Sequence, residues 1–122
     1  MIVIYGLKTC DSCRKALAIV AAGGARHRFH DLRAEGLPAA ALDRWLERAG
    51  WETLLNRRST TWRELPAAEK EGLDAAAAAR LLARHPTLVK RPVVEREEGA
   101  GATLIVGLAP PQLAALKALA GA

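Results

Sequence analysis

Within its first 32 residues the chain changes hydrophobic period twice, and this constrains the fold more than any other feature. Ile2 to Tyr5 is an apolar, β-branched run closed by Gly6, the pattern of a buried strand. Gly6 to Thr9 reads as a short turn. From Asp11 onward, Cys13, Ala16, Leu17 and Val20 recur on one face at helical spacing, while Arg14, Lys15 and Ala18 fall elsewhere. Gly23-Gly24 supplies a stop at the helix C-terminus. Arg26 to Leu32 returns to alternation, with His27, Phe29 and Asp31 against Arg28 and His30, a polar second strand. Strand, helix and strand in such a short span make a βαβ unit whose strands run parallel.

The stretch from Pro38 to Leu82 carries no strand pattern. Leu42, Trp45, Leu46 and Ala49 form an amphipathic stripe ended by Gly50, and Trp51 to Asn56 adds a further turn. Pro66 suits the first position of a short helix, Asp74 the cap of a helix over Ala75 to Ala83, and His85-Pro86 its end. Strand patterns return at Val93-Val94 and at Thr103 to Val106. The charged, glycine-containing stretch Glu95 to Gly101 joins them as the turn of an antiparallel hairpin. Pro110-Pro111 open a last helix that turns Leu113, Leu116 and Leu119 inward. The order βαβ, helices, ββα predicts an α/β, thioredoxin-like fold: a mixed four-stranded sheet with an all-helical insertion at about residues 36–86. The 122 residues fit one domain, 1–122.

Composition bounds the setting. Hydrophobic residues make up 51% of the chain, enough for a packed core, and aromatics only 4%, so that core is aliphatic. The most uniform apolar stretch, Ala75 to Ala79, is far too short for a membrane span. Lys8, Cys10 and Asp11 interrupt the apolar run after Met1 too early for a secretory leader. A cytoplasmic protein is therefore expected, without membrane attachment. In that reducing compartment two cysteines are more often catalytic, redox-sensing or metal-binding than a structural staple. The net charge of +5 comes without a Lys/Arg block and reads first as a solvated surface.

Cys10-Asp11-Ser12-Cys13 is a C-x-x-C motif at the strand-to-helix junction. There the unpaired N–H groups and the dipole of the helix favour an anion and lower a thiol pKa. Lys8, Arg14 and Lys15 add positive potential, and Asp11 opposes it. Cys10 is thus expected to be the reactive, exposed sulfur. Cys13, one turn on and facing inward, has two readings of equal weight: a resolving thiol that attacks a mixed disulfide at Cys10, or a small buried hydrophobe. A zinc site would need two more ligands. His27, His30 and His85 are the remaining candidates by type, and they form no finger-like partner motif.

A cysteine nucleophile acting on an oxyanion or a carboxylate-bearing thiol needs fixed positive donors, and the arginine fork suits this. Arg58 lies in the polar stretch Asn56-Arg57-Arg58-Ser59-Thr60-Thr61-Trp62, read as a loop between helices. Arg91 precedes Pro92 just before the third strand. Thioredoxin-like folds hold a proline at that place behind a cis peptide bond facing the active cysteine, so Arg91 is expected to point at the site. The competing reading for both arginines is a surface ion pair.

With these residues on view, the chain resembles the glutaredoxin-dependent arsenate reductase (ArsC) family, which includes the Spx-type regulators. The resemblance runs through four segments: Ile4-Tyr5-Gly6-Leu7-Lys8-Thr9-Cys10-Asp11, Gly50-Trp51-Glu52-Thr53-Leu54-Leu55-Asn56, Arg58-Ser59-Thr60-Thr61-Trp62-Arg63 and His85-Pro86-Thr87-Leu88-Val89-Lys90-Arg91-Pro92. In detail it is most similar to the YffB-like branch, thought to be glutathione-dependent thiol reductases. The resemblance implies that Cys10 is the nucleophile, that Arg58 and Arg91 bind anions, and that Pro92 fills the cis-proline position. Lys8 and Thr9, in the turn before Cys10, are assigned to the substrate side with them. One departure matters: arsenate reductases carry a further arginine after the last strand, where this chain has Gly107-Leu108. Losing such a donor commonly costs ~2.7–4 kcal/mol of transition-state stabilisation, which argues against efficient arsenate reduction.

The expected function is therefore a thiol-dependent reductase with no bound cofactor or metal. Glutathione or glutaredoxin would be its co-substrate or partner, and a small oxyanion or a disulfide its substrate. A monomer is expected. The alternative is an Spx-like regulator that binds RNA polymerase through a Cys10–Cys13 switch; against it, the chain ends soon after its last helix. A third and weaker reading is nucleic-acid binding through Arg57, Arg58 and Arg63 with Trp62.

Overall fold

Strand β1 (Ile2–Gly6) forms on the β-branched run and takes the middle of the sheet. It pairs in parallel with β2 (His27–Asp31) and antiparallel with β3 (Val93–Glu98), and β4 (Gly101–Val106) pairs antiparallel with β3. The strand order is β2-β1-β3-β4, with Ile4 aligned between Phe29 and Val94. Parallel pairing of β1 with β2 demands a crossover, which helix α1 (Asp11–Ala22) provides. The computed structural model describes residues 1–98 and 101–121.

The chain divides into two compact units, Met1–Glu35 with Arg91–Ala122, and Gly36–Lys90. In the first, α1 and the last helix, α8 (Pro110–Ala120), cover one core with the sheet. Ile2, Ile4, Ala16, Val20, Val94, Ile105, Leu116, Leu119 and Ala120 are buried there, and Leu17 and Phe29 pack partly against them. Each Ile, Leu or Val side chain fully buried in this way contributes about 2 kcal/mol. Strand β2 runs on into a single helical turn, α2 (Leu32–Glu35), which the sequence reading missed. The Asp31 carboxylate caps it, accepting from the N–H groups of Arg33 (2.9 Å) and Ala34 (3.2 Å).

The second unit is helical, with α3 (Ala39–Ala49), α4 (Trp51–Leu54), α5 (Thr60–Glu64), α6 (Ala67–Lys70), α7 (Ala75–Arg84) and a 3₁₀ turn at Pro86–Leu88. Helices α3, α4 and α7 pack together and bury Leu42, Trp45, Leu54, Leu81 and Leu82. Asp74 caps α7, its Oδ1 accepting from the Ala77 N–H at 2.8 Å. The bridge Leu55↔Val89 is the unit's only strand-like pairing among the described residues.

The sequence reading leaves one detail open, and three depart from it. His30 is buried against the Tyr5 ring (centroids 4.9 Å apart), although its alternation with Phe29 set it on the side away from that residue's core. Both faces of β2 therefore meet partners, and alternation could not rank them. The Asn56–Trp62 stretch is not all loop: Ser59 Oγ accepts from the Trp62 N–H at 3.1 Å and starts α5. Pro66 is the cap before α6 rather than its first residue. Glu95 to Glu98, read as part of a turn, extend β3, and the remaining turn positions 99 and 100 lie outside the described residues. Among the described residues no helix is long and apolar enough to cross a membrane.

Candidate active site

The site grows from the end of β1. After Gly6 the chain turns, the Cys10 N–H donating to the Leu7 carbonyl at 3.1 Å. Cys10 keeps extended dihedrals (φ −91°, ψ 121°) while its carbonyl accepts the first helical bond, from the Arg14 N–H at 3.0 Å. It is the N-cap of the 12-residue helix α1, where the first amides have no helical partner. Its side chain makes no cap hydrogen bond, and its sulfur is half-buried.

Partial burial pushes the Cys10 thiol pKa up, and this is the largest single influence on it. The Cys13 N–H, the Cys13 thiol and the Arg91 guanidinium, acting as donor and as charge, together outweigh it. The Cys10 pKa therefore lies below its ordinary value. Cys13 behaves in the opposite way. It is 0% exposed, and burial pushes its thiol up to about 12 despite the Leu7 N–H aimed at its sulfur. Both thiols are free.

Arg91 comes from the other end of the first unit. The Arg91–Pro92 peptide bond is cis, as expected from the proline's place in the sequence. The Pro92 carbonyl accepts from the Gly107 N–H at 2.8 Å, tying this loop to the end of β4. Gly107 itself takes the left-handed backbone, φ +80°, that favours glycine.

The other nominated residues are placed as follows. Lys8 and Thr9 are exposed in the turn before Cys10, and the Lys8 charge acts on Asp31, whose carboxyl is held below its usual range first by the Ala34 N–H. Arg14 pairs with Asp11 at 3.6 Å on the surface. Arg58 is exposed in the second unit, its N–H donating to Asn56 Oδ1 at 3.0 Å and its carbonyl accepting from the Arg63 guanidinium at 3.3 Å. Arg57 stands over both Trp51 (6.0 Å) and Trp62 (5.8 Å), and Lys70 over Trp62 (5.5 Å). Trp62, the aromatic residue of the nucleic-acid reading, thus already meets two cations of the chain itself. Among the described residues no three His, Cys, Asp or Glu side chains gather as a metal site.

Gly6 is the functional residue that the sequence reading passed over. A Cβ placed there would run into the Cys13 sulfur, so the bare Cα makes room for that side chain. The available signal was a glycine closing a strand ahead of an inward-facing cysteine.

The family model for the ArsC family matches residues 5–112, a span that takes in Cys10, Arg58, Arg91 and Pro92. The chain belongs to the ArsC family. An uncharacterised protein of Haemophilus influenzae is 44% identical to this ArsC-family chain over 94 residues, 77% of this chain and 82% of its own. Two solved structures share its fold. The protein called YFFB superposes with a TM-score of 0.81 and 39% identity, covering 95% of this chain and 98% of its own. An arsenate reductase (ArsC) related protein from Brucella melitensis gives a TM-score of 0.70 and 44% identity, covering 93% and 92%. The ArsC-family fold here is thus the thioredoxin-like α/β arrangement.

Arg91→Leu removes the cation that acts on Cys10. We expect the pH midpoint of Cys10 alkylation to move up and turnover at neutral pH to fall about tenfold, as losing one charge-assisted donor does. Alkylation of Cys10 across a pH series, compared with the unaltered protein, checks this.

Proposed function

We propose that this chain is a thiol-dependent reductase in which the Cys10 thiolate attacks one sulfur of a disulfide. A bond forms between Cys10 and that sulfur, the substrate's S–S bond breaks, and the other half leaves as a thiolate that takes a proton from water. A second thiol, glutathione in this reading, then cleaves the mixed disulfide and restores Cys10. The observation that carries the reading is the Arg91 guanidinium on a half-buried sulfur at the amide end of α1.

Disulfides suit the site better than arsenate. An arsenate oxyanion spreads charge over several oxygens and needs several donors, whereas a disulfide is neutral until its leaving group departs. Gly107 offers no side chain toward such an anion. The anion-binding role of Arg58 rests on the family likeness alone. The same reading makes the protein a cytoplasmic monomer supplied with electrons by glutathione or glutaredoxin.

The test is steady-state turnover of a small disulfide, such as hydroxyethyl disulfide, with glutathione as the reductant. Saturable turnover well above that of arsenate supports the reading. Absence of turnover, with oxidation-dependent capture of RNA polymerase, overturns it in favour of the regulator.

A further inference from the structure

We propose that Arg57, Arg63 and Lys70, gathered around the Trp51 and Trp62 rings, form a docking surface for an acidic segment of a partner protein, one with several Asp or Glu side chains close together. The surface lies wholly within the helical unit Gly36–Lys90 and does not depend on the reductase reading. Arg57 and Arg63 are exposed, and Lys70 and both rings are half-buried. The Arg57 guanidinium stands 6.0 Å from the Trp51 ring centre and 5.8 Å from that of Trp62, and the Lys70 ammonium 5.5 Å from that of Trp62. A ring face attracts a cation without using up its N–H donors. The Arg63 guanidinium donates to the Arg58 carbonyl at 3.3 Å and the Lys70 ammonium to the Arg63 carbonyl at 3.4 Å, so both are held against the same short stretch.

No carboxylate neutralises these charges. Among the described residues none of the three cations lies within ion-pair distance of an Asp or Glu, and the Arg57 guanidinium makes no hydrogen bond. The acids near them in sequence are placed elsewhere: Glu69 pairs with Arg84 at 3.2 Å, and Glu64 lines the cleft that this pair shares with Leu65, Pro66 and His85. Three held, unneutralised cations call for an anionic partner, and the rings decide which polymer supplies it. Single-stranded nucleic acid draws on bases stacked over open aromatic faces, and the Trp62 ring already carries Arg57 and Lys70. A duplex asks for many phosphate contacts, and three cations supply few. A second copy of this chain is opposed by its own net charge of +5. Carboxylates fit: the Arg57 fork can take one in two parallel hydrogen bonds, at reduced entropic cost because the rings already hold it, while Arg63 and Lys70 take its neighbours.

Fluorescence anisotropy of a labelled decaglutamate peptide, titrated with the full chain at low salt, tests the proposal. Saturable binding is expected. It should weaken as salt screens the exposed charges, and a neutral glycine–serine peptide of the same length should not bind. Arg57→Gln with Lys70→Gln should weaken binding by about tenfold or more. Arg26→Gln with Lys117→Gln removes the same charge from exposed positions of the other unit and should leave binding within about twofold. Arg63→Gln, whose side chain meets a carbonyl and not a ring, is the second probe if loss of the ring contacts unfolds the first variant, and should weaken binding by roughly threefold. Absence of saturable binding overturns the proposal, as does equal weakening by the two double variants. An oligothymidylate of the same charge that binds more tightly than the peptide also overturns it, in favour of a nucleic-acid surface.

Discussion

Cys10→Ser lowers glutathione-dependent disulfide turnover by about a thousandfold or more, a loss of about 4 kcal/mol of transition-state stabilisation. A serine hydroxyl does not ionise near neutral pH even beside a guanidinium, and it forms no mixed disulfide. Stability moves little or rises, because Cys10 is an N-cap without a complete cap hydrogen bond and serine is among the better capping residues. The two measurements belong together. Steady-state kinetics should collapse while thermal unfolding stays within a few degrees of the unaltered protein. Retention of turnover within tenfold would mean that Cys10 is not the nucleophile.

Gly23→Ala should destabilise the fold by about 3 kcal/mol, read as a fall in Tm of roughly 10 °C. The glycine at the end of α1 has an ordinary helical backbone (φ −76°, ψ −11°), so conformational freedom is not its reason for being there. A Cβ at this position would run into the Ala120 carbonyl at the end of α8. The atom met is backbone, so relief requires α8 to shift, and α8 carries Leu116 and Leu119 into the core. Gly24, its neighbour, supplies the contrast. Nothing crowds it, but its φ of +77° strains any residue with a side chain, so Gly24→Ala should cost about 1 kcal/mol and Gly24→Asn less. Thermal unfolding of the variants ranks them. A Gly23→Ala protein as stable as the unaltered chain would contradict the close approach of α1 and α8.

Those glycines show what the sequence made legible. Gly23-Gly24 reads correctly as a helix stop, because one of the two takes the left-handed backbone that a stop requires. The steric reason for Gly23 is invisible in sequence, since it depends on a carbonyl almost a hundred residues away. The same division runs through the molecule. The βαβ start, the hairpin, the Asp74 cap and the inward Leu116 and Leu119 of α8 follow from local period and capping chemistry, and each appears in the structure, while Leu113 stays half-exposed outside the core. Burial of His30 and Glu95 does not, because both depend on which strands become neighbours.

At the site, the position of Cys10 could be read from a strand running into a helix, and the cis bond from the likeness to thioredoxin-like folds, which hold such a proline ahead of β3. What could not be read was the relation between the two cysteines. A C-x-x-C motif leaves a resolver and a buried hydrophobe equally open. The structure adds that the Cys13 sulfur is fully buried against the bare Cα of Gly6, which the motif alone does not reveal.

Thiol ionisation tests the account most directly. Alkylation of the reduced protein over a pH series, with each cysteine followed by peptide mass spectrometry, should give a Cys10 midpoint below the ordinary thiol value of about 8.5. Cys10 then stays reactive to a lower pH than a free thiol does, losing reactivity as the pH falls through its lowered midpoint, while Cys13 remains unmodified well into the alkaline range. A Cys10 midpoint at or above that of a free thiol, or Cys13 alkylated as readily as Cys10, would contradict it.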